Sequence, residues 1–310
     1  MPNPRVTLGL PVYNGERYVG QAIDTILAQT YTDFVLLIGD NCSTDRTEEI
    51  CRRYAEADAR IVYHRHPQNI GAGPNFNYLF DVSDSEYFKW CPHDDLMAPE
   101  YLDRCVAKLD ANPDAVLCHT DTLLIDASGD IFAQGSALPR GPASRAPAER
   151  FCGFVMRSRL CYEVLGVIRA SALRRTQLHQ PYFGSDRALL AALMLQGRFL
   201  GVAEPLFMNR RHAEAFSESA VRGVRVSTQW YDPRLVARRP PIVSRLYRDY
   251  WRLACEADIP LGQKLACCGA LLLWPFKPRN VIEFVREGMQ YLPDPVAENL
   301  RRGKHLLFGR

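Results

Sequence analysis

The chain has no CxxC pair, almost no net charge, and no apolar run long enough to cross a bilayer. Each absence removes a class of function. Without paired cysteines there is no zinc ribbon and no dithiol redox motif. The ten cysteines are scattered, and the N-terminal MPNPRVTLGLPVYN lacks the basic-then-apolar design of a secretory signal. These features lead us to expect free thiols in a reduced, cytosolic chain. A net charge of +3 over 310 residues leaves no general nucleic-acid footprint. The longest apolar stretch, LACCGALLLWPF at Leu265–Phe276, falls short of the roughly 20 residues a membrane-spanning helix needs. No Gly-Lys-Ser/Thr phosphate loop is present. Gly71-Ala72-Gly73 lacks the third glycine of a dinucleotide-binding loop, because Phe76 stands in its place, and it does not follow the first strand. There is no internal repeat.

What is present is a soluble-globular composition, 47% hydrophobic and 24% charged, with length enough for a sizeable core. Charge is uneven along it. From Thr228 to Arg310 there are 14 Lys/Arg against 8 Asp/Glu, a surplus of +6, so the preceding residues carry −3. The first 130 residues alternate apolar strand patterns with helical ones. Arg5–Val12 reads as a strand, and Asn14 as the cap of a helix with apolar Val19, Ala22, Ile23, Ile26 and Leu27 at helical spacing. Phe34–Ile38 is a continuous apolar run, the mark of a strand covered on both faces. A helix is expected from Thr44 or Asp45, with Glu48 placed for a capping box. Strands at Arg60–His64, Glu86–Cys91 and Ala115–Thr120 alternate with helices containing Pro74 in a first turn and starting at Pro99. This rhythm predicts an α/β fold with a mainly parallel central sheet flanked by helices. Ala133–Ala148, rich in Pro, Gly and Ala, reads as a loop. Tyr182–Gly197 reads as a helix and Pro205–His212 as a strand ending in a basic cluster.

Ligands in such sheets bind outside the carboxyl ends of the strands. Three predicted strand ends carry polar chemistry: Pro11-Val12-Tyr13-Asn14, Gly39-Asp40-Asn41 and His93-Asp94-Asp95. Adjacent carboxylates at the end of an apolar strand either cap the helix that follows or hold a cation. Asp186 stands at a predicted helix start, where the macrodipole favours its charged form.

The run PVYNGERYVGQAIDTILAQTYTDFVLLIGDNCSTDRT, followed by NIGAGPNFN, CPHDD, GSDRALL and NRRH, resembles family 2 of the glycosyltransferases over roughly residues 5–215. That resemblance implies the GT-A nucleotide-sugar-binding fold. It implies Mn2+ or Mg2+ between carboxylate and diphosphate, with Asp95 as ligand and His212 as a further one, and Asp94 near the ribose and diphosphate. His93 departs from the pattern, where many members have an acid. Asp40 would accept a hydrogen bond from the imide N–H of uracil or thymine. Pro11, Tyr13, Asn14 and Glu16 would line the nucleoside, and Arg210 and Arg211 would meet the diphosphate. Asp186 would be the general base of an inverting transfer. For several of these positions a plainer reading stands open: helix capping for Asn14, Asp94 and Asp95, a helix-start acid for Asp186, a solvated basic loop for Asn209–His212.

The expected organisation is a catalytic domain at 1–225 and a helical, basic C-terminal extension at 226–310. The extension would contact acceptor, another subunit in a homo-oligomer, or the inner face of a membrane through Leu265–Trp274 and its flanking Lys264, Lys277 and Arg279. Packing onto the catalytic domain is the alternative. Ala213–Arg222 reads as a lid. The partners expected are a nucleoside-diphosphate-sugar donor, UDP-linked by preference, and a saccharide, lipid-linked or small-molecule acceptor, with no nucleic acid. Surface polysaccharide or glycolipid synthesis is the setting this suggests; a small specialised metabolite as acceptor, or a non-catalytic sugar-nucleotide-binding protein, are the rival readings.

Overall fold

The computed structural model describes residues 4–135, 143–157, 161–213, 231, 241–289 and 291. Strands β1 (Val6–Val12), β2 (Phe34–Asp40), β3 (Ile61–Arg65) and β4 (Tyr87–Trp90) alternate with helices α1 (Val19–Leu27), α2 (Thr47–Ala57) and α3 (Ala72–Asp81). They form a parallel half-sheet in the order β3-β2-β1-β4. Every residue of β1 is buried, as a central strand with helices on both faces requires. After β4 come the two-residue strand β5 (Leu96–Met97), α4 (Tyr101–Asp110), β6 (Ala115–Ile125) and β7 (Ile131–Gly135). Then follow α5 (Pro147–Arg157), a 3-10 turn at Tyr162–Leu165, β8 (Val167–Arg169), α6 (Ala170–Leu173), α7 (Asp186–Gln196) and β9 (Arg198–Arg210). This second half of the sheet is mixed. β8 runs antiparallel between β4 and β6, while β9 is parallel to β6 and antiparallel to β5.

Two features position the site. The strand order changes direction between β1 and β4, which opens a crevice above their carboxyl ends. Pairing of β5 with β9, Leu96 opposite Met208, then carries Asn209–His212 onto Asp94-Asp95. Helices α8 (Ile242–Glu256), α9 (Leu261–Leu273) and α10 (Pro278–Met289) close the described chain. Their inward side chains Leu246, Tyr250, Cys267, Leu271 and Trp274 share one core with the sheet. Tyr182 donates to Asp249 at 2.6 Å and Trp274 Nε1 to the Val155 carbonyl at 3.1 Å. Burying an aromatic or leucine side chain contributes about 1.5–3 kcal/mol, so this docking is firm. No described helix is long and apolar enough to cross a membrane.

Several local expectations change. Asn14 does not cap α1, which begins at Val19 without a side-chain cap. It adopts φ 52° and its Oδ1 accepts the Thr44 N–H at 2.8 Å, lacing the end of β1 to the end of β2. The capping box at Glu48 is absent: Asp45 accepts the Thr47 N–H at 3.0 Å, and Glu48 pairs with Arg52 and Arg65. The 133–148 loop is strand at its start and helix at its end, with 136–142 outside the described residues. Apart from Ala213, the expected lid also lies outside them.

Candidate active site

The end of the crevice expected to take a nucleoside is built from two interlocked turns. Pro11 pairs with Gly39 inside the sheet as a rigid, buried floor, while Tyr13 is 41% exposed beside it. Ser43 Oγ accepts the Asn14 N–H at 2.9 Å, and Val12 accepts the Asn41 N–H at 2.8 Å. Gly15 is obligatory, because a Cβ there would lie 2.7 Å from the His93 ring and 2.6 Å from Val12. His93 therefore packs on the first turn. Asp40 is fully buried. Its oxygens accept the Ser43 N–H at 2.8 Å and the Tyr63 hydroxyl at 2.6 Å, so it supports this pocket from below and would meet a base only through its remaining lone pairs. Glu16 sits beside the same turns, and its N–H donates to Asp45 at 3.0 Å. Its carboxylate accepts the Arg46 N–H at 3.0 Å ahead of α2, where a helix start favours an anion.

The acidic end differs from expectation in its pairing. His212 lies 3.0 Å from Asp94 through Nε2 and Oδ2, while Asp95 accepts the Arg210 N–H at 2.8 Å and the Asn209 amide at 3.0 Å. The donors brought together are thus Asp94 and His212, with Asp95 held by Asn209 and Arg210, whereas the resemblance implied Asp95 with His212. Burial pushes the Asp94 carboxyl up, but the His212 hydrogen bond and the neighbouring histidine charges bring it below the usual range. Asp95, 6% exposed, is pushed up to about 8, first by burial and then by the charge of Asp94. His212 Nδ1 is buried and has no partner among the described residues.

Carboxylate oxygen suits Mn2+ or Mg2+, and an imidazole nitrogen beside it favours Mn2+ over the harder Mg2+. Among the described residues no group of three or more His, Cys, Asp or Glu could hold a metal alone. Asp94 and His212 fit a cation that takes its remaining ligands from diphosphate and water, as Mg2+ commonly does.

Arg210, expected at the diphosphate, is engaged by the protein itself. It is 2% exposed, and its guanidinium donates to Asp94 O at 2.9 Å and to Gln21 at 2.8 Å while lying 4.6 Å over the Tyr18 ring. The same ring stands 4.8 Å from His212, so Tyr18 is a shared platform for both. Arg211 stays partly exposed and donates to the Tyr162 hydroxyl.

Asp186 opens α7 after Gly184, whose φ of 83° favours glycine, and Ser185. The helix start does not decide its ionisation as anticipated: burial pushes its carboxyl up, against the Arg187 charge and N–H and the Cys161 thiol. Tyr162, in the turn Tyr162–Leu165, holds Arg211, the sequence neighbour of His212. Glu163, 5% exposed, is pushed up to about 7 by burial and by Asp186, and its Oε2 has no partner among the described residues. A group that must be ionised to accept a proton loses function as pH falls through its pKa. If Asp186 is that group, its raised value should place the acid limb of kcat/KM above the ordinary aspartate value of about 3.9. A pH–rate profile flat to that value would overturn the assignment.

Pattern reading missed three contributors. Lys89 is fully buried, donates to the Leu165 carbonyl, and lies 4.6 Å from the Tyr101 ring centroid and 5.0 Å from that of Phe207. Burial lowers its pKa. Asn209 orients Asp95. Tyr231 lies 2.5 Å from Ser185 Oγ, and a Cβ on Gly73 would strike its ring at the same distance. Only the Gly71-Ala72-Gly73 run hinted at that close approach.

The sequence model of glycosyl transferase family 2 matches residues 7–179. An uncharacterised glycosyltransferase of Rickettsia typhi is 36% identical over 119 residues, 37% of this chain and 36% of that protein. One of Methanocaldococcus jannaschii is 29% identical over 136 residues, 43% of this chain and 47% of that protein. These matches therefore span less than half of either relative. In fold, residues 1–349 of Staphylococcus aureus TarS in complex with UDP-GlcNAc align at TM-score 0.61 and 16% identity, covering 94% of this chain and 82% of that one. A Pyrobaculum calidifontis mannosyltransferase in complex with GDP-Man and Mn2+ aligns at TM-score 0.57 and 16% identity, covering 98% and 80%.

Proposed function

The chain belongs to glycosyl transferase family 2, and from that premise we propose that it moves one sugar from a nucleoside-diphosphate donor to an acceptor hydroxyl with inversion. The observation that carries this reading is the pairing of β5 with β9, which sets His212 3.0 Å from Asp94 beyond the carboxyl end of β4.

The donor's nucleoside would lie over the turns at Tyr13-Asn14 and Asn41–Ser43, with its diphosphate toward Asp94, His212 and Arg211. A divalent cation held by Asp94 and His212 would neutralise charge that develops on the departing diphosphate. Arg211 would add a fixed positive charge on the same oxygens. Asp95 holds the Asn209–Arg210 backbone in register so that His212 meets Asp94. Asp186 accepts the proton of the acceptor hydroxyl as that oxygen attacks the anomeric carbon from the face opposite the leaving group, and a single displacement inverts the configuration. Residues 1–225 would carry this chemistry, and 226–310 the contacts beyond it.

We take the donor to be UDP-linked. A carboxylate suits the imide N–H of uracil or thymine, where adenine presents the N1 acceptor instead, and Asp40 would stand under the base. Calorimetry should find UDP bound more tightly than ADP. Equal affinities would remove the base preference without touching the transfer reading. The transfer itself is tested by incubating the protein with a panel of nucleotide sugars, with and without manganese. A thermal shift for one donor, enlarged by manganese, and turnover of that donor are the expected results. No shift with any donor would overturn the proposal.

A further inference from the structure

We infer that the outward face of α9, the 3-10 turn Trp274–Phe276 and α10 seats on an anionic lipid surface. α9, LGQKLACCGALLL, has only two polar side chains, Gln263 and Lys264. A helix apolar on all sides belongs in a core or against another apolar medium. Only one stripe of it is in the core: Cys267 and Leu271 are fully buried. Leu261, Leu265 and Leu272 fall within about 40° of one another on the helix and point away from that stripe. They are 71%, 64% and 61% exposed, and Phe276, in the turn that follows, is 78% exposed. Val281, Ile282 and Val285 of α10 are exposed too. Elsewhere on the described surface, large exposed apolar side chains occur singly or as one adjacent pair, the normal pattern for a soluble protein. Here they gather in three consecutive elements, which marks an interaction face.

Charge identifies the partner. Residues 261–282 contain Lys264, Lys277 and Arg279 and no Asp or Glu. α10 adds Glu283, paired with Arg286 at 2.8 Å, and Glu287, buried against Val243 and Ser244, so a second copy seated on this face across a two-fold axis would set the same cations against each other with only acids already engaged to answer them. An anionic lipid surface answers the cations with headgroup charge and the leucines with acyl chain. Thirteen residues cannot span a bilayer, so α9 would lie in the interface plane. The inference is independent of the transferase reading and so is its test.

The whole chain is sedimented with vesicles of phosphatidylcholine alone, or of phosphatidylcholine and phosphatidylglycerol in equal parts. Binding should favour the anionic vesicles and weaken with salt, since exposed charges are screened within about 8 Å at physiological ionic strength. Arg279→Gln, a surface change that leaves the core intact, should weaken it about five-fold. Leu265→Gln with Leu272→Gln should abolish it without lowering the melting temperature. Equal binding to both vesicles, or none to either, would overturn the inference. So would light scattering that shows a dimer dispersed by the leucine substitutions, which would give the face to a second copy.

Discussion

Replacing Asp186 with Asn should lower transfer by about 10²–10⁴-fold while donor affinity stays close to that of the unaltered protein, the signature of a lost general base. Asn keeps the shape at the start of α7 and can still accept the Arg187 N–H, now 2.9 Å from the carboxylate. What disappears is basicity. Neighbouring structure stays anchored, because Leu189, Leu190, Leu193 and Met194 are buried in the core. The product of the unaltered protein should carry the anomeric configuration opposite to the donor's. Two results would sink the assignment: a variant that retains most of its turnover, or a product whose NMR spectrum shows retained configuration. The first would move the base to Glu163 or Asp121. The second would remove the single displacement.

Asp94→Asn should abolish metal-dependent donor binding with the fold intact, and EDTA should reproduce that loss on the unaltered protein. Asp95→Asn should cost about 10–100-fold, the range for groups that orient a ligand from behind. The difference follows from geometry: Asp94 shares the imidazole of His212, while Asp95 is occupied by Asn209 and the Arg210 amide. Donor titrations by calorimetry, with manganese and then with chelator, separate the two. Full transfer in EDTA would take the metal out of the reaction and leave both carboxylates as turn-stabilising groups. An Asp95 variant more damaged than the Asp94 variant would restore Asp95 as the direct ligand.

The strands and their polar ends were legible because a strand covered on both faces reads as an unbroken apolar run, as Phe34–Ile38 does, and a parallel sheet puts its ligand groups at carboxyl ends. Helix starts were not. Asn14 and Glu48 are good capping residues by type, but tertiary partners, Thr44 for one and Arg65 for the other, claim their side chains. Arg210 shows the same limit. An arginine beside acidic groups suggests anion binding, yet its burial against Tyr18 and Gln21 depends on a strand pairing that no local pattern reveals. Lys89 was passed over because lysine is almost never fully buried, and only the Tyr101 and Phe207 rings and the Leu165 carbonyl explain it here.

The pairing of β5 with β9 also bears on how the molecule comes into being. It joins residues more than a hundred positions apart through only two residues of strand, Leu96 and Met97. Closing so large a loop must precede any reward from the contacts it brings, and long-range pairings of this kind form late and slowly. Strands β1 to β4, with their intervening helices, can condense from one continuous stretch of chain. The acidic end cannot exist until β9 has been synthesised and returned to Leu96. A folding intermediate holding the β3-β2-β1-β4 half would therefore possess the nucleoside turns and lack the Asp94–His212 pair. Under the proposed function, it would be able to cradle a nucleoside before it could act on a sugar.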